Sequence, residues 1–573
     1  MPEKTSLTLL DHLPTEILFD IFDYLSCNDI LYGFYNLNEK FNRILLKHYP
    51  HLNSLETPNN DFCFWQTILP IIQLRVEHVT ITNIDSGLTL NAFPNLKSLV
   101  ISTAVPIYSD ELKPIIEDEK IRQLTTLKLR SEILSRADLN ETSYIIPTIF
   151  HHANSIETFE FLLTFDLHRL EKVINVTIQS LTVKLRNSAS ILTLITHMPN
   201  LRYLNAVLHS MFTHPSREET VNLTHVQLRT LLITSENGSI NKQSFARLSN
   251  TIKQFATSLI RLSVKLSSII STDNEFDGVI LRSQLLNSMT QLKVFHLFVT
   301  FDEEPTEIST LLSTFQNKFW YDRRWTVGIH GKHLFTLPFH FKELNCFTDV
   351  DQIKSSNSKM LSTWPYVTSI DLSQCNNLDV NLIKQLKSNM PNLTTIILSA
   401  ESMNNLVIDE TMTLDNVSTI HCKGEYLQNI KQWLVKVVPN TKKLVLSYRP
   451  QFATSSLNRT VYLHKLDAYF RGPQTIRNYT YFLNIQHVDV KFTVDDAEDF
   501  YRHVLRLIRE FFEMFKNLNS FTFEFYQNIF DMNNIPFREP SELVKLLNMD
   551  RISQKYRLKR VDNYIQFIKK TRV

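Results

Sequence analysis

The chain has 573 residues, 43% of them hydrophobic and 21% charged, and 60 basic against 58 acidic residues leave a formal charge of +2. So even a balance supplies no whole-chain field to draw in nucleic acid or an anionic membrane, and it argues against both as partners. Eight glycines, none spaced as GxGxxG or GxxxxGKS/T, exclude the phosphate-cradling loops of kinase, P-loop and dinucleotide-binding folds, while five scattered cysteines without a CxxC pair exclude a disulfide framework or zinc cluster.

The chain begins Met1-Pro2-Glu3-Lys4, with no basic stretch leading into an apolar core, and no apolar run of about 18 residues occurs after it. Neither a secretory signal nor a spanning helix is expected, and the cysteine usage fits a reducing compartment, cytoplasmic or nuclear. Residues 9–49 read as three short helices. Leu13-Pro14-Thr15-Glu16 starts the first, with Pro14 at the first helical position and Glu16 near the positive end. Ile17, Leu18, Ile21, Phe22 and Leu25 then give it a broad apolar face. Ser26 and Asp29 have capping-box spacing ahead of a second helix carrying Ile30, Leu31 and Phe34. Asn36 or Asn38 caps a third, whose Phe41, Ile44, Leu45 and Tyr49 face inward.

The run Leu13-Pro14, Glu16, Ile17-Leu18, Ile21-Phe22, Tyr24-Leu25, Asp29-Ile30, Leu37, Phe41 and Leu45 resembles the F-box, densely and without gaps. In its third helix Asn38-Glu39-Lys40-Phe41 keeps only part of the family's charge pattern. The resemblance implies docking to the Skp adaptor of a cullin-based ubiquitin ligase core through Leu13, Pro14, Glu16, Ile17, Leu18, Ile21, Phe22, Leu25, Asp29, Ile30, Leu37 and Phe41. A module this small cannot bury enough surface to stand alone, so it needs a partner or a neighbouring domain. The competing reading is a helical cap on a repeat array.

From about residue 55 a Leu-x-x-Leu-x-Leu signature recurs, introduced several times by Pro-Asn. Clear copies are Pro94-Asn95-Leu96-Lys97-Ser98-Leu99, Pro199-Asn200-Leu201-Arg202-Tyr203-Leu204 and Pro391-Asn392-Leu393-Thr394-Thr395-Ile396. Weaker copies start at Leu124, Ile156, Leu181, Leu228, Leu259, Leu292, Val367, Val417, Thr441 and Leu518. Steps of 20, 27, 31 and 33 from Leu181 to Leu292, then 26, 24 and 24 from Val367 to Thr441, straddle the leucine-rich-repeat period. In the best unit a strand at Val367–Leu372 leads through an Asn-rich turn to a helix over Val380–Asn389, and Cys375 is a small buried residue after the strand.

The expected fold is therefore α/β: a small three-helix F-box at residues 7–52, then an irregular leucine-rich-repeat solenoid with parallel strands inside and helices outside. Its first part covers 60–300, an irregular insertion or lobe boundary 301–360, and a second part with a C-terminal cap 361–573. In the lapse, Phe319-Trp320-Tyr321-Asp322-Arg323-Arg324-Trp325 interleaves aromatics with arginines. Trp320 and Trp325 are candidate contacts to a target, or else a strand edge that plugs the solenoid. Arg551–Val573 carries eight basic residues against Asp562, which suits nucleic acid, but its Val561, Tyr564, Ile565, Phe567 and Ile568 fit a final packed strand or cap.

No His pair with a Glu, GxSxG or Cys–His signature stands out, and the adjacent His151 and His152 point in different directions. No catalytic residue, metal or cofactor is expected. The sequence thus reads as a substrate receptor of a Skp–cullin–F-box ubiquitin ligase with an unknown protein target. The alternative is a non-ligase repeat scaffold with an F-box-like cap. Target contacts are expected at outward positions of the strand signature, for example Lys97, Arg202 and Thr395.

Overall fold

The computed structural model describes residues 10–448 apart from short breaks and the longer segments 135–148, 210–225, 400–411 and 424–436. Beyond residue 448 it describes residues 485–494, 518, 520–527, 556–561 and 564–569. The chain divides into two compact units, one of Met1–Phe295, Val299–Glu303 and Thr571–Val573, the other of His296–Phe298 with Glu304–Lys570.

The first unit opens with three short helices, α1 (Thr15–Phe22), α2 (Cys27–Phe34) and α3 (Glu39–Arg43), the last running into a π-helical turn at Ile44–His48. Pro14 sits at the cap of α1, φ −56° and ψ 150°, one place before the expected first helical position. Its missing N–H is harmless at either place. Asn38 caps α3 by accepting the Phe41 amide at 3.0 Å, whereas Asn36 takes a left-handed φ of 61° and its amide donates to Asn42 Oδ1 at 2.8 Å. Ser26 and Tyr49, expected at a cap and in the core, lie outside the described residues.

Leu18, Phe22, Ile30, Leu31, Phe41 and Leu45 fill the space between these helices. The Phe34 ring stands edge-on to Phe22 at 4.9 Å and tilts against Phe41 at 5.4 Å. Hydrogen bonds fasten this module to the first repeats: among the described residues Asn28 Nδ2 donates to the Glu56 carbonyl at 2.6 Å, and Arg75 Nη1 to the Leu45 carbonyl at 3.4 Å.

The described strands of the first unit begin with β1 (Ser54–Glu56), β2 (His78–Ile81), β3 (Ser98–Ile101), β4 (Ile107–Tyr108), β5 (Thr126–Leu129) and β6 (Ile133–Leu134). Then come β7 (Thr158–Phe165), β8 (Ser180–Leu185), β9 (Tyr203–Leu208), β10 (Thr230–Ser235), β11 (Arg261–Ile269) and β12 (Val294–Phe301), of which His296–Phe298 are assigned to the second unit. Except for the small β4–β6 pair, β1 to β11 pair in parallel in chain order, one strand per repeat. Alternate residues of β8, β9 and β10 are buried, as in Leu181, Val183 and Leu185.

One rule sets the register. The residue before each strand lends its carbonyl to two amides of the next repeat: Lys97 O accepts from Thr125 N at 2.8 Å and Thr126 N at 3.1 Å. Arg202 O likewise accepts from Arg229 N at 2.9 Å and Thr230 N at 3.0 Å. Preceding that residue is an apolar anchor, such as Leu96, Leu124, Ile156, Leu201 or Leu228, each fully or almost fully buried. Burying such a side chain contributes about 1.5–3 kcal/mol.

The recurrent asparagine serves the same stacking. Asn95, Asn200, Asn392, Asn416 and Asn440 donate Nδ2 to the carbonyls of Leu74, Val176, Pro365, Pro391 and Asp415, each in the preceding repeat. Helices return some of the coils, among them Ala189–Thr196, Lys242–Lys253 and Val380–Asn389.

In the second unit the short helices Ile308–Ser313 and Lys318–Asp322 precede an antiparallel hairpin, β13 (Thr326–His330) with β14 (His333–Leu337), and the short β16 (Lys354–Ser355) pairs antiparallel with β13. Its main sheet runs through β15 (Glu343–Leu344), β17 (Ser369–Asp371), β18 (Thr395–Ser399), β19 (Thr419–Lys423), β20 (Lys443–Tyr448), β21 (His487–Val494) and β22 (Ser520–Gln527), all parallel. The final β23 (Tyr556–Val561) and β24 (Tyr564–Lys569) form a hairpin whose β24 pairs antiparallel with β22. The architecture is α/β with large, mostly parallel sheets and few helices, in keeping with a repeat solenoid.

Candidate functional site

Two surfaces collect the residues singled out in the sequence. On the helical module the twelve candidate docking residues split by exposure. Leu18, Phe22, Ile30 and Phe41 are core and offer nothing to a partner, because they hold the three helices together. Leu13 and Ile21 are half-buried, while Pro14, Glu16 and Asp29 are exposed. Ile17, Leu25 and Leu37 are exposed apolar side chains, at 44%, 38% and 56%. The structure adds Tyr24, 91% exposed, and Tyr32, 47% exposed, which the motif alone does not mark as surface contacts. A large apolar side chain left in water costs the burial free energy it would gain against a partner.

The second surface is the row of strand residues that alternate with the buried ones. Lys97 is exposed and bonded to Glu77 Oε1 at 2.8 Å, and Arg202 is exposed beside β9. Thr395 does not share their position. It is the first residue of β18 and half-buried; the equivalent of Lys97 and Arg202 is the exposed Thr394, whose carbonyl accepts the Ser418 and Thr419 amides. The signature repeats only the buried residues, so it does not distinguish the two positions between them.

Charge on this face is partly cancelled. Arg130 grips Glu160 with two bonds of 3.1 Å, and Lys184 pairs with Glu236. In the second unit Lys423 reaches across β18 to Asp371 at 2.7 Å, and Lys443 pairs with Asp489 at 2.6 Å. Burial would raise the Asp371 carboxyl, but hydrogen bonds from Lys423 and Ser373 and the lysine charge hold it below the usual carboxylate range.

Of the aromatic candidates, Trp320 is fully buried, on the short helix Lys318–Asp322. Its ring packs against Phe315 at 4.9 Å, Phe319 at 5.5 Å and Trp325 at 6.1 Å, so it serves the core and is not presented to a target. Trp325 is half-buried, and the Arg323 guanidinium lies over Phe319 at 4.0 Å. The described cysteines, Cys27, Cys375 and Cys422, are equally structural. Burial pushes the Cys27 thiol up to about 12 and raises that of Cys422 too, the opposite of an activated nucleophile. Cys375 is buried after β17. Among the described residues no group of three His, Cys, Asp or Glu side chains is placed to hold a metal, and no helix is long and apolar enough to cross a membrane.

No family model matches the chain, and no curated protein does. Among solved structures, the crystal structure of the Rad7 and Elc1 complex in yeast is similar at 14% identity, covering 71% of this chain and 91% of that one. The TM-score is 0.29, too low to carry an argument.

Proposed function

We propose that the protein is a substrate receptor of a Skp–cullin–F-box ubiquitin ligase, acting in the cytoplasm or nucleus. The helical module docks the Skp adaptor and the strand face holds a protein target. The observation that carries this reading is the set of exposed apolar side chains, Ile17, Tyr24, Leu25, Tyr32 and Leu37, on a module that already has its own core. Catalysis then belongs to the ligase's other subunits, and this chain contributes proximity by raising the target's effective concentration.

The second reading, a repeat scaffold with a helical cap, draws on the Asn28 and Arg75 bonds that tie the module to the sheet. Co-purification with the Skp adaptor separates the two. Wild type should retain the adaptor, and Ile17→Asp with Leu37→Asp should lose it by at least about tenfold, since two charges would enter an apolar contact. Leu18 must be left alone, because a charge there would empty the module's core. A wild-type chain that does not retain the adaptor supports the scaffold.

A further inference from the structure

Across β8 to β12 the strand face of the first unit changes character. At the position before each strand stand Gln179, Arg202, Arg229, Ile260 and Lys293; the first strand positions are Ser180, Tyr203, Thr230, Arg261 and Val294. Two residues further along β8 to β11 come Thr182, Asn205, Leu232 and Ser263. None of these is acidic. Arg202, Arg229, Arg261 and Lys293 are all exposed, and the structure gives their side chains no carboxylate partner among the described residues. The nearest acids of these rows are Glu157 and Glu160 beside and on β7, and Glu160 is taken by Arg130.

Ion pairs are made elsewhere on the same face, by Lys97, Arg130 and Lys184. The four cations, without a carboxylate partner among the described residues, are therefore a local departure. Register places them on neighbouring repeats, since Arg202 O accepts from Arg229 N, Arg229 O from Arg261 N, and Ile260 O from Lys293 N. With strands about 4.8 Å apart, the strip is about 15 Å long.

We infer that this strip is a binding site for an anionic peptide segment, carrying carboxylate or phosphate side chains. An extended peptide rises about 3.4 Å per residue and turns alternate side chains to one side, so three anionic groups within about five residues span about 14 Å. Arginine's fork matches either anion with two bonds. Nucleic acid fits less well, because four cations fall short of the six to ten or so phosphate contacts of a duplex reader. The inference deepens the receptor reading by giving its target a chemistry, yet it is measured without the adaptor, so the two stand or fall separately.

The test is fluorescence anisotropy on the full chain with four labelled probes. These are a short peptide of alternating glutamates, the same peptide with phosphoserines, a neutral glutamine version, and a single-stranded oligonucleotide of equal charge. At least one anionic peptide should bind about tenfold or more tighter than the neutral one, more weakly as salt rises. Glutamate and phosphoserine affinities then show which anion is preferred. Arg229→Glu with Arg261→Glu should abolish the difference, and the milder Arg229→Gln with Arg261→Gln should reduce it severalfold in a chain whose circular dichroism is unchanged. Lys242→Glu, on the helix Lys242–Lys253, should leave it intact. Equal binding of neutral and anionic peptides, no effect of either arginine pair, or tighter binding of the oligonucleotide through the same arginines would overturn the proposal.

Discussion

At the scale of single residues, the most instructive side chain is the asparagine of Pro-Asn. Its amide spans to the previous repeat's carbonyl, 2.8 Å in the case of Asn392 and Pro365. The motif thus marks where one coil is stitched to the last, which explains why it heralds a strand. Asn392→Ala should cost about 1 kcal/mol, typical for a hydrogen bond of this kind, read as a lower urea midpoint with an unchanged slope. Trp320 teaches the converse: aromatics between arginines look alike in sequence whether they face a ligand or a core. What decides is whether Phe315 and Trp325 fold over the ring, and that contact depends on turns the sequence does not announce.

Among the elements, the strands are the most legible. Anchors at Leu124, Ile156, Leu228, Leu259, Leu292, Val367, Val417, Thr441 and Leu518 each stand two residues before a strand. Leu181 is the exception, lying inside β8, whose anchor is Ile178. An aliphatic residue at the fourth place of the signature is indistinguishable from one at the first when no asparagine precedes it. Strands β1 and β2, anchored by Leu52 and Val76, lack that marker, whereas β21 has Asn484 before its anchor Ile485 but no proline ahead of it. The basic chain end is a hairpin, not a single strand, and it covers the edge of β22. Deleting residues 553–573 bares that edge with its Phe521-Thr522-Phe523 run. The truncated chain should self-associate, visible as high-mass species in size-exclusion chromatography with light scattering, because unpaired strand edges recruit one another.

For the molecule as a whole, charge shows itself most in how the second unit responds to acid. His333 is buried opposite His330 in the β13–β14 hairpin, and burial, with the Lys332 and His330 charges, lowers it to about 4. His487 is lowered as well, mainly by burial. An unfolded chain takes up these protons from about pH 6.5 downward while the folded one resists until about pH 4. Stability is therefore full above pH 6.5 and falls as pH drops towards 4, by up to about 3 kcal/mol from His333. Asp371, held below its usual value, extends the loss at lower pH still. Urea midpoints between pH 7 and pH 4.5 should show the decline, and His333→Gln should flatten it. The apolar anchors make the fold readable because burial dictates residue type directly. The cation strip is not readable, because Arg202, Arg229, Arg261 and Lys293 meet only through register, and spacings of 27, 32 and 32 residues hide that they are neighbours.

The shared carbonyl between repeats also has a mechanical meaning. Because each strand bonds only to the ones beside it, tension applied through the two chain ends loads these bonds a few at a time, coil after coil, rather than a whole interface in shear. Within each unit, a sheet built this way is expected to lengthen gradually under load and to recoil by re-zipping, in the manner of a soft spring.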